Sequence, residues 1–305
     1  MTEILEEILE KCAPYRNEGN LANYIPELTK ANPNDFGIYV ISSDKTFSKA
    51  GDYEKQFTIQ SIVKPILLLQ ALMDNGIENI KNHVGVEATG KPFDAINYND
   101  QTLLSENINP MVNMGAIAMC TLIKGDTYDE KFNRLLELTR KLADNPKIEL
   151  NNAVYLSEKR TGNKNRALAY LLKTYGMIGD EVEDVLDCYF KACSIKVCCE
   201  DLAKIGLVLA NHGKSPLTGE SLFPLEYAHY VNAILITCGM YDGSGEFAIK
   251  VGVPAKSGVG GGIMAVVPTR MGIGIFSPMI DSKGNSVAGI RALEELSKKL
   301  DLSIF

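Results

Sequence analysis

Tryptophan is absent from this chain of 305 residues, and histidine occurs only three times, as His83, His212 and His229. The three histidines stand in no metal-binding spacing, which weighs against a metalloenzyme and against a Ser-His-Asp triad. Seven cysteines (12, 120, 188, 193, 198, 199 and 238) are an odd number scattered over a large chain, with no Cys-x-x-Cys pair. Neither a disulfide nor a zinc framework is expected; free, partly buried thiols are. No apolar run is long enough to span a bilayer, and Met1-Thr-Glu-Ile-Leu-Glu-Glu-Ile-Leu-Glu10 reads as an acidic amphipathic helix without the basic region of a secretory signal. A cytoplasmic location and no membrane partner are therefore expected. Basic residues are in deficit, 31 Lys and Arg against 38 Asp and Glu, for a formal charge of −7. Phosphate binding needs clustered cations, so no nucleic-acid partner is expected. Internal repeats, ankyrin-type units included, are missing, which argues against an attached regulatory array.

What is present is an ordinary globular composition, 46% apolar and 23% charged, in a chain long enough to bury a large core. Apolar spacing predicts helices over 2–12 and about 20–31. The β-branched and aromatic run Asp35–Ser42, Ser-Asp-Lys turn chemistry and a short strand near Thr46–Lys49 predict a hairpin. Helical periodicity then dominates: 61–74, 113–124, 129–144, 151–159, 164–175, 180–192, 199–212 and 219–238, with Val84–Pro110 irregular. Glu246–Val251, Gly261–Pro268 and Met271–Ser277 read as strands, and Val287–Leu300 as a closing amphipathic helix. The fold class is α+β: a mixed, mainly antiparallel sheet from both chain ends, flanking helices and an inserted all-helical domain. The boundaries are a sheet part of 1–60 plus 240–305 and a helical part of 61–239, together one catalytic unit over 1–305.

The most informative stretch is Phe57-Thr-Ile-Gln-Ser61-Ile-Val-Lys64-Pro65. It sets a hydroxyl and an amine three residues apart where a helix begins, and i and i+3 share a helix face. A helix start also offers unpaired N–H groups and a positive dipole end, suited to a developing oxyanion. A nucleophile, a base and an anion site within one turn are the parts of a Ser–Lys acyl-transfer centre. The spacing alone is not diagnostic, because Ser42-Ser-Asp-Lys45 repeats it in what reads as a turn. Lys256-Ser257-Gly258-Val259-Gly-Gly-Gly262 is the second element. Penicillin-binding and class A β-lactamase enzymes combine Ser-x-x-Lys with a strand-borne Lys-Thr-Gly in this order. A strand presents its lysine and N–H groups along one edge of a site, and glycines let that edge come close.

Beyond these two motifs the chain resembles the serine-dependent glutaminases of the β-lactamase-like fold, from about Tyr24 to Leu300. The matching segments include Asn23-Tyr-Ile-Pro26, Asn109-Pro-Met-Val-Asn-Met-Gly-Ala-Ile117 and Ser157-Glu-x-x-Thr-Gly-Asn-x-Asn-Arg-Ala167. Tyr189-Phe-x-x-Cys-Ser194, Leu209-Ala-Asn-His-Gly213 and Met240-Tyr-Asp-Gly-Ser-Gly-Glu-Phe247 continue it in order. The resemblance implies Ser61 as nucleophile, Lys64 as its base partner, and a substrate pocket of Tyr24, Asn113, Glu158, Asn165, Tyr189 and Tyr241. It places the oxyanion hole at the N–H groups of Ser61 and Val259. It also implies L-glutamine as the small-molecule substrate, no cofactor, no metal and a homodimer or homotetramer. The chain departs from the family pattern at Val63, Pro65, Met114 and Gly243, and Pro65 removes an N–H near the start of the Lys64 helix.

The residue types suit that substrate. Glutamine carries an α-ammonium, an α-carboxylate and a carboxamide; Glu158 pairs with the ammonium, while Asn113, Asn165 and a tyrosine hold the carboxylate. Lys64 acts as base only when neutral, and burial beside Lys256 lowers its pKa; Tyr241 is the alternative or additional proton relay. Two other readings use the same residues. One is a penicilloyl-serine transferase or esterase-like hydrolase with Ser105-Glu-Asn107 as its middle motif. The other is an amino-acid sensor that keeps the pocket without turnover.

Overall fold

A computed structural model describes residues 1–96, 108–179 and 181–305. Its centre is a five-stranded antiparallel sheet in the order β2-β1-β7-β6-β5. The strands are β1 Gly37–Ser42, β2 Phe47–Gly51, β5 Ala255–Ser257, β6 Gly262–Val267 and β7 Met271–Phe276. A separate two-stranded ribbon pairs β3 Phe57–Thr58 with β4 Lys196–Val197. The N-terminal and C-terminal parts of the chain thus meet in one sheet, because β1 pairs with β7 from Gly37↔Phe276 to Ser42↔Met271.

Helices described in chain order are α1 Thr2–Cys12, α2 Lys64–Asn75, α3 Ile77–Lys81, α4 Asn113–Leu122, α5 Tyr128–Ala143 and α6 Asn152–Thr161. They continue with α7 Asn163–Thr174, α8 Val182–Cys193, α9 Cys199–Ala210, α10 Leu225–Cys238, α11 Ser244–Lys250 and α12 Val287–Leu300. Alternating residues assign the two sheet faces. Ile38, Val40, Ile263, Ala265, Ile273 and Ile275 share a core with Leu5 and Ile8 of α1 and Ala292, Leu293 and Leu296 of α12. Tyr39, Ile41, Met264, Val266 and Phe276 join the larger core of the helical block. Helix α9 lies along that second face, and β7 admits it through two glycines. A Cβ on Gly272 would stand 1.9 Å from the Ala203 carbonyl oxygen, and one on Gly274 2.0 Å from that of Cys199.

The structure departs from the sequence reading at several elements. Residues 20–31 form a 3-10 turn over Pro26–Lys30, and the helix expected from 219 begins at Leu225, after Pro224. The strand expected over Glu246–Val251 is helix α11. Its alternating Phe247, Ile249 and Val251 mimic a strand, yet Ile249 is 88% exposed while Phe247 and Val251 are buried in the sheet core. The Ser244 hydroxyl fixes the helix start: Met240 N–H donates to it and it donates to the Tyr241 carbonyl. Glu246 and Lys250 then pair across one turn at 2.7 Å. The competing Ser42-x-x-Lys45 lies in the β1–β2 turn, with Lys45 in the left-handed region at φ 71°. Its Lys45 N–H donates to the Ser42 carbonyl at 2.9 Å. All seven cysteines are free thiols. Among the described residues no helix is long and apolar enough to cross a membrane, and no group of three or more His, Cys, Asp or Glu is placed to hold a metal ion.

Candidate active site

Ser61 sits in a 3-10 turn, Gln60–Val63, that follows β3 and runs directly into α2 at Lys64. The sequence reading placed Ser61 in the α-helix itself. The difference arises at Gln60, whose φ of 48° is left-handed and turns the chain sharply before the helix can form. Pro65 occupies the first turn of α2, where its missing N–H has no intrahelical partner, so the helix continues undisturbed.

Across the sheet edge, the segment after β5 presses onto this turn. A Cβ on Gly258 would meet the Ile59 carbonyl oxygen at 2.8 Å, and one on Gly260 the Thr58 carbonyl at 3.0 Å. Glycine is what lets the Lys256-Ser-Gly edge reach Ser61. Among the described residues, no backbone hydrogen bond occupies the N–H of Ser61 or that of Val259. Gly284, at φ 93°, packs against Val259, Tyr241 and Phe93 together, at 3.3, 3.4 and 3.6 Å from where its Cβ would lie.

Lys64 is fully buried. Its Nζ donates to Asn113 Oδ1 at 2.7 Å and to the Met111 carbonyl at 3.1 Å. The two acceptors are held by the Asn109–Gly115 segment. Asn109 Oδ1 accepts the Met111 N–H, and a Cβ on Gly115 would lie 2.1 Å from the Asn109 carbonyl oxygen, so α4 starts hard against that residue. Asn113 is satisfied on both sides: Oδ1 also accepts from the Tyr189 hydroxyl at 3.3 Å, and Nδ2 donates to Asn165 Oδ1 at 2.9 Å. Burial lowers the Lys64 pKa to about 8, against the opposing fields of Cys193, Asp94 and Glu158.

Tyr241, at φ 56°, brings its hydroxyl to Ser61 and donates to the Ser257 carbonyl at 3.3 Å. Burial pushes its phenol above the ordinary tyrosine range, so it is protonated near neutrality. The Ser257 hydroxyl in turn donates to Asn285 Oδ1 at 2.6 Å. Lys256 is fully buried, and desolvation with the charge of Lys64 holds it well below the usual lysine range.

Tyr24, Asn113, Glu158 and Asn165 line one cavity of about 250 Å³. Gly162 explains how Glu158 and Asn165 come together. It joins α6 to α7, and a Cβ there would meet Phe190 at 2.6 Å and the Glu158 carbonyl at 2.9 Å. Glu158 is 3% exposed and its Oε2 has no hydrogen-bond partner among the described residues. Burial raises its carboxyl pKa to about 8, with Lys64 acting in the opposite direction. Tyr24 is half exposed at the cavity wall; Ser61, Lys64, Tyr189 and Tyr241 do not line the cavity, Tyr189 touching it through Asn113 and Tyr241 through the Phe93 ring.

Among the lining residues that the sequence reading did not single out are Phe93, Asp94 and Lys164. The Phe93 ring lies 4.6 Å from that of Tyr241 and 5.8 Å from Lys64 Nζ, and its carbonyl accepts the Asn113 N–H. Asp94 and Lys164 form an ion pair at 2.6 Å. The first two fall in the aperiodic Val84–Pro110 stretch, where residue type gives no signal, and Lys164 reads as a solvated helix charge. Ser105-Glu-Asn107 lies outside the described residues.

The family model for glutaminase matches residues 19–305. Glutaminase 2 of Clostridium perfringens is 52% identical over 305 residues, covering all of both chains. A glutaminase of Clostridioides difficile is 53% identical over 302 residues, 99% of this chain and 98% of that one. Among solved structures, the covalent complex of a Bacillus subtilis glutaminase with 5-oxo-L-norleucine, formed with 6-diazo-5-oxo-L-norleucine, superposes with a TM-score of 0.91 at 38% identity. That likeness covers 100% of this chain and 99% of that one. The chain belongs to the glutaminase family. Its α+β fold is of the β-lactamase-like kind shared by those structures.

Proposed function

We propose that this protein hydrolyses L-glutamine to L-glutamate and ammonia through a γ-glutamyl ester on Ser61. The observation that carries the reaction is the full-length likeness to glutaminases at 52% identity. The cavity geometry supports the residue roles, with sheet edge and helical block acting as one catalytic unit. Glu158 receives the α-ammonium, which supplies the partner its Oε2 lacks. Asn165 and the hydroxyl of Tyr24 hold the α-carboxylate, directing the carboxamide toward Ser61; Asn113, expected beside them, instead spends its amide on Lys64, Tyr189 and Asn165.

A neutral amine has two N–H donors and one lone pair. Lys64 already directs two donors at Met111 and Asn113, which leaves the lone pair for the Ser61 proton, taken directly or through the Tyr241 hydroxyl. Ser61 Oγ bonds to the carboxamide carbon, and the free N–H groups of Ser61 and Val259 receive the oxyanion. Collapse breaks the C–N bond, and the proton held by Lys64 or Tyr241 goes to the departing ammonia. Water then adds to the ester, gives its proton to the same base, and Ser61 recovers it as glutamate leaves.

Ser61→Ala tests the covalent route: it should keep its fold and bind glutamine but lose ammonia release by roughly 10⁴-fold or more. Residual turnover within tenfold of the parent would overturn the ester. A chromogenic β-lactam run in parallel separates the penicillin-type alternative, and binding without turnover in the parent would favour the sensor.

A further inference from the structure

Lys256 is the second buried lysine of the site, and the steps above do not use it. Nζ donates to the carbonyls of Gly239 at 2.9 Å and Ser257 at 2.8 Å, and stands 4.1 Å from the centroid of the Tyr241 ring. Placing an amine among carbonyls without a carboxylate is unfavourable, so the position calls for a reason. Every one of its three partners bears on Tyr241. Gly239 closes α10 two residues before Tyr241. The Ser257 carbonyl is the same oxygen that accepts the Tyr241 hydroxyl. The third partner is the ring itself. Tyr241 also occupies a left-handed backbone conformation that a bulky residue rarely adopts, and it keeps that conformation only where surrounding contacts enforce it.

We propose that Lys256 is a positioning residue for Tyr241, pinning the helix end, the ring and the hydroxyl's acceptor so that the phenol stays against Ser61 Oγ. The inference rests on the glutaminase reading and assigns a division of labour within it: Lys64 exchanges the proton, and Lys256 fixes the group that relays it. A lysine serving only as a packing strut would make a loss independent of the phenol.

The distinction is measurable with a double-mutant cycle on the full chain, following ammonia release over a range of glutamine concentrations. Lys256→Met should lower kcat by roughly 10–100-fold and move KM by less than about threefold, as expected when a reacting group is misplaced. Introduced into Tyr241→Phe, the same substitution should lower kcat by less than about threefold further, because the group it positions is already gone. Multiplicative losses in the double variant, or a near-parental kcat in Lys256→Met, would overturn the proposal. Urea midpoints establish that each variant is folded, and Lys256→Gln, which keeps a donor, replaces Lys256→Met in the cycle if the latter does not fold. A parental protein without ammonia release would instead refute the glutaminase reading, so the two failures are distinct.

Discussion

At the residue scale, two titrating groups govern the site, and their signs differ. Lys64 has a pKa lowered to about 8 and must be neutral to take a proton. Glu158, with its own pKa raised to about 8, must also be ionised to pair the ammonium, so the acid limb of kcat/KM should fall near pH 8 with activity dropping more than about tenfold per pH unit below it. A pH profile of ammonia release checks this, and a flat profile from pH 6 to 9 would contradict Lys64 as base. Glu158 runs the other way. Its folded pKa is raised from 4.5 to about 8, so the folded state binds the extra proton between those values. The stability this supplies is complete below pH 4.5 and is lost as pH rises through 8. Glu158→Gln removes that loss. Above pH 8 it should stabilise the ligand-free protein by roughly 1–3 kcal/mol in urea titrations, with the advantage vanishing near pH 4, while glutamine affinity collapses. At this scale the sequence was partly legible. Ser61, Lys64 and Lys256 are readable because their chemistry needs fixed spacing. Asn113, Glu158 and Asn165 were readable only through family resemblance, since an isolated Asn or Glu on a helix looks like a cap or a solvated charge. Phe93 and Asp94 were not readable, because nothing local in an aperiodic stretch says which side chain turns inward.

At the element scale, close approach of backbones sets the architecture. Helix α9 lies against β7 only because Gly272 and Gly274 have no Cβ. Gly272→Ala should cost roughly 2–3 kcal/mol of stability through overpacking, measured as a shift in urea midpoint with unchanged slope. The paired period of two in β1, β6 and β7 made these strands legible. Helix α11 was misread because three alternating apolar residues fit either period over so short a span, and the deciding Ser244 hydroxyl contacts are not a periodic signal. The ribbon of β3 and β4 escaped notice for a related reason: two residues per strand carry no pattern.

At the scale of the whole molecule, the candidate site collects residues from far apart in the chain. Tyr24, Asn113, Glu158 and Asn165 line its cavity, and Tyr241 meets Ser61 from the far end of the sequence. A ligand joined covalently to Ser61 and paired with Glu158 therefore ties distant segments together. Treatment with 6-diazo-5-oxo-L-norleucine should add one 5-oxo-norleucine mass to the peptide bearing Ser61 and raise Tm by several degrees, while Ser61→Ala gains neither. Labelling at another residue would redirect the nucleophile assignment.

The solitary Oε2 of Glu158 has a bearing on which molecules the protein accepts. A carboxylate sealed away without a counter-ion is tolerable only when the guest brings its own positive charge, or when a proton stands in for it. With Glu158 in its proposed role, the free amino group becomes an entry requirement, separate from the amide that is cleaved. N-acetylglutamine and glutamine within a peptide both lack the cation, and each should be turned over at least about a hundredfold less efficiently than free glutamine. A pocket built on that role would distinguish a metabolite from a residue of a protein chain by testing the end of the molecule that does not react.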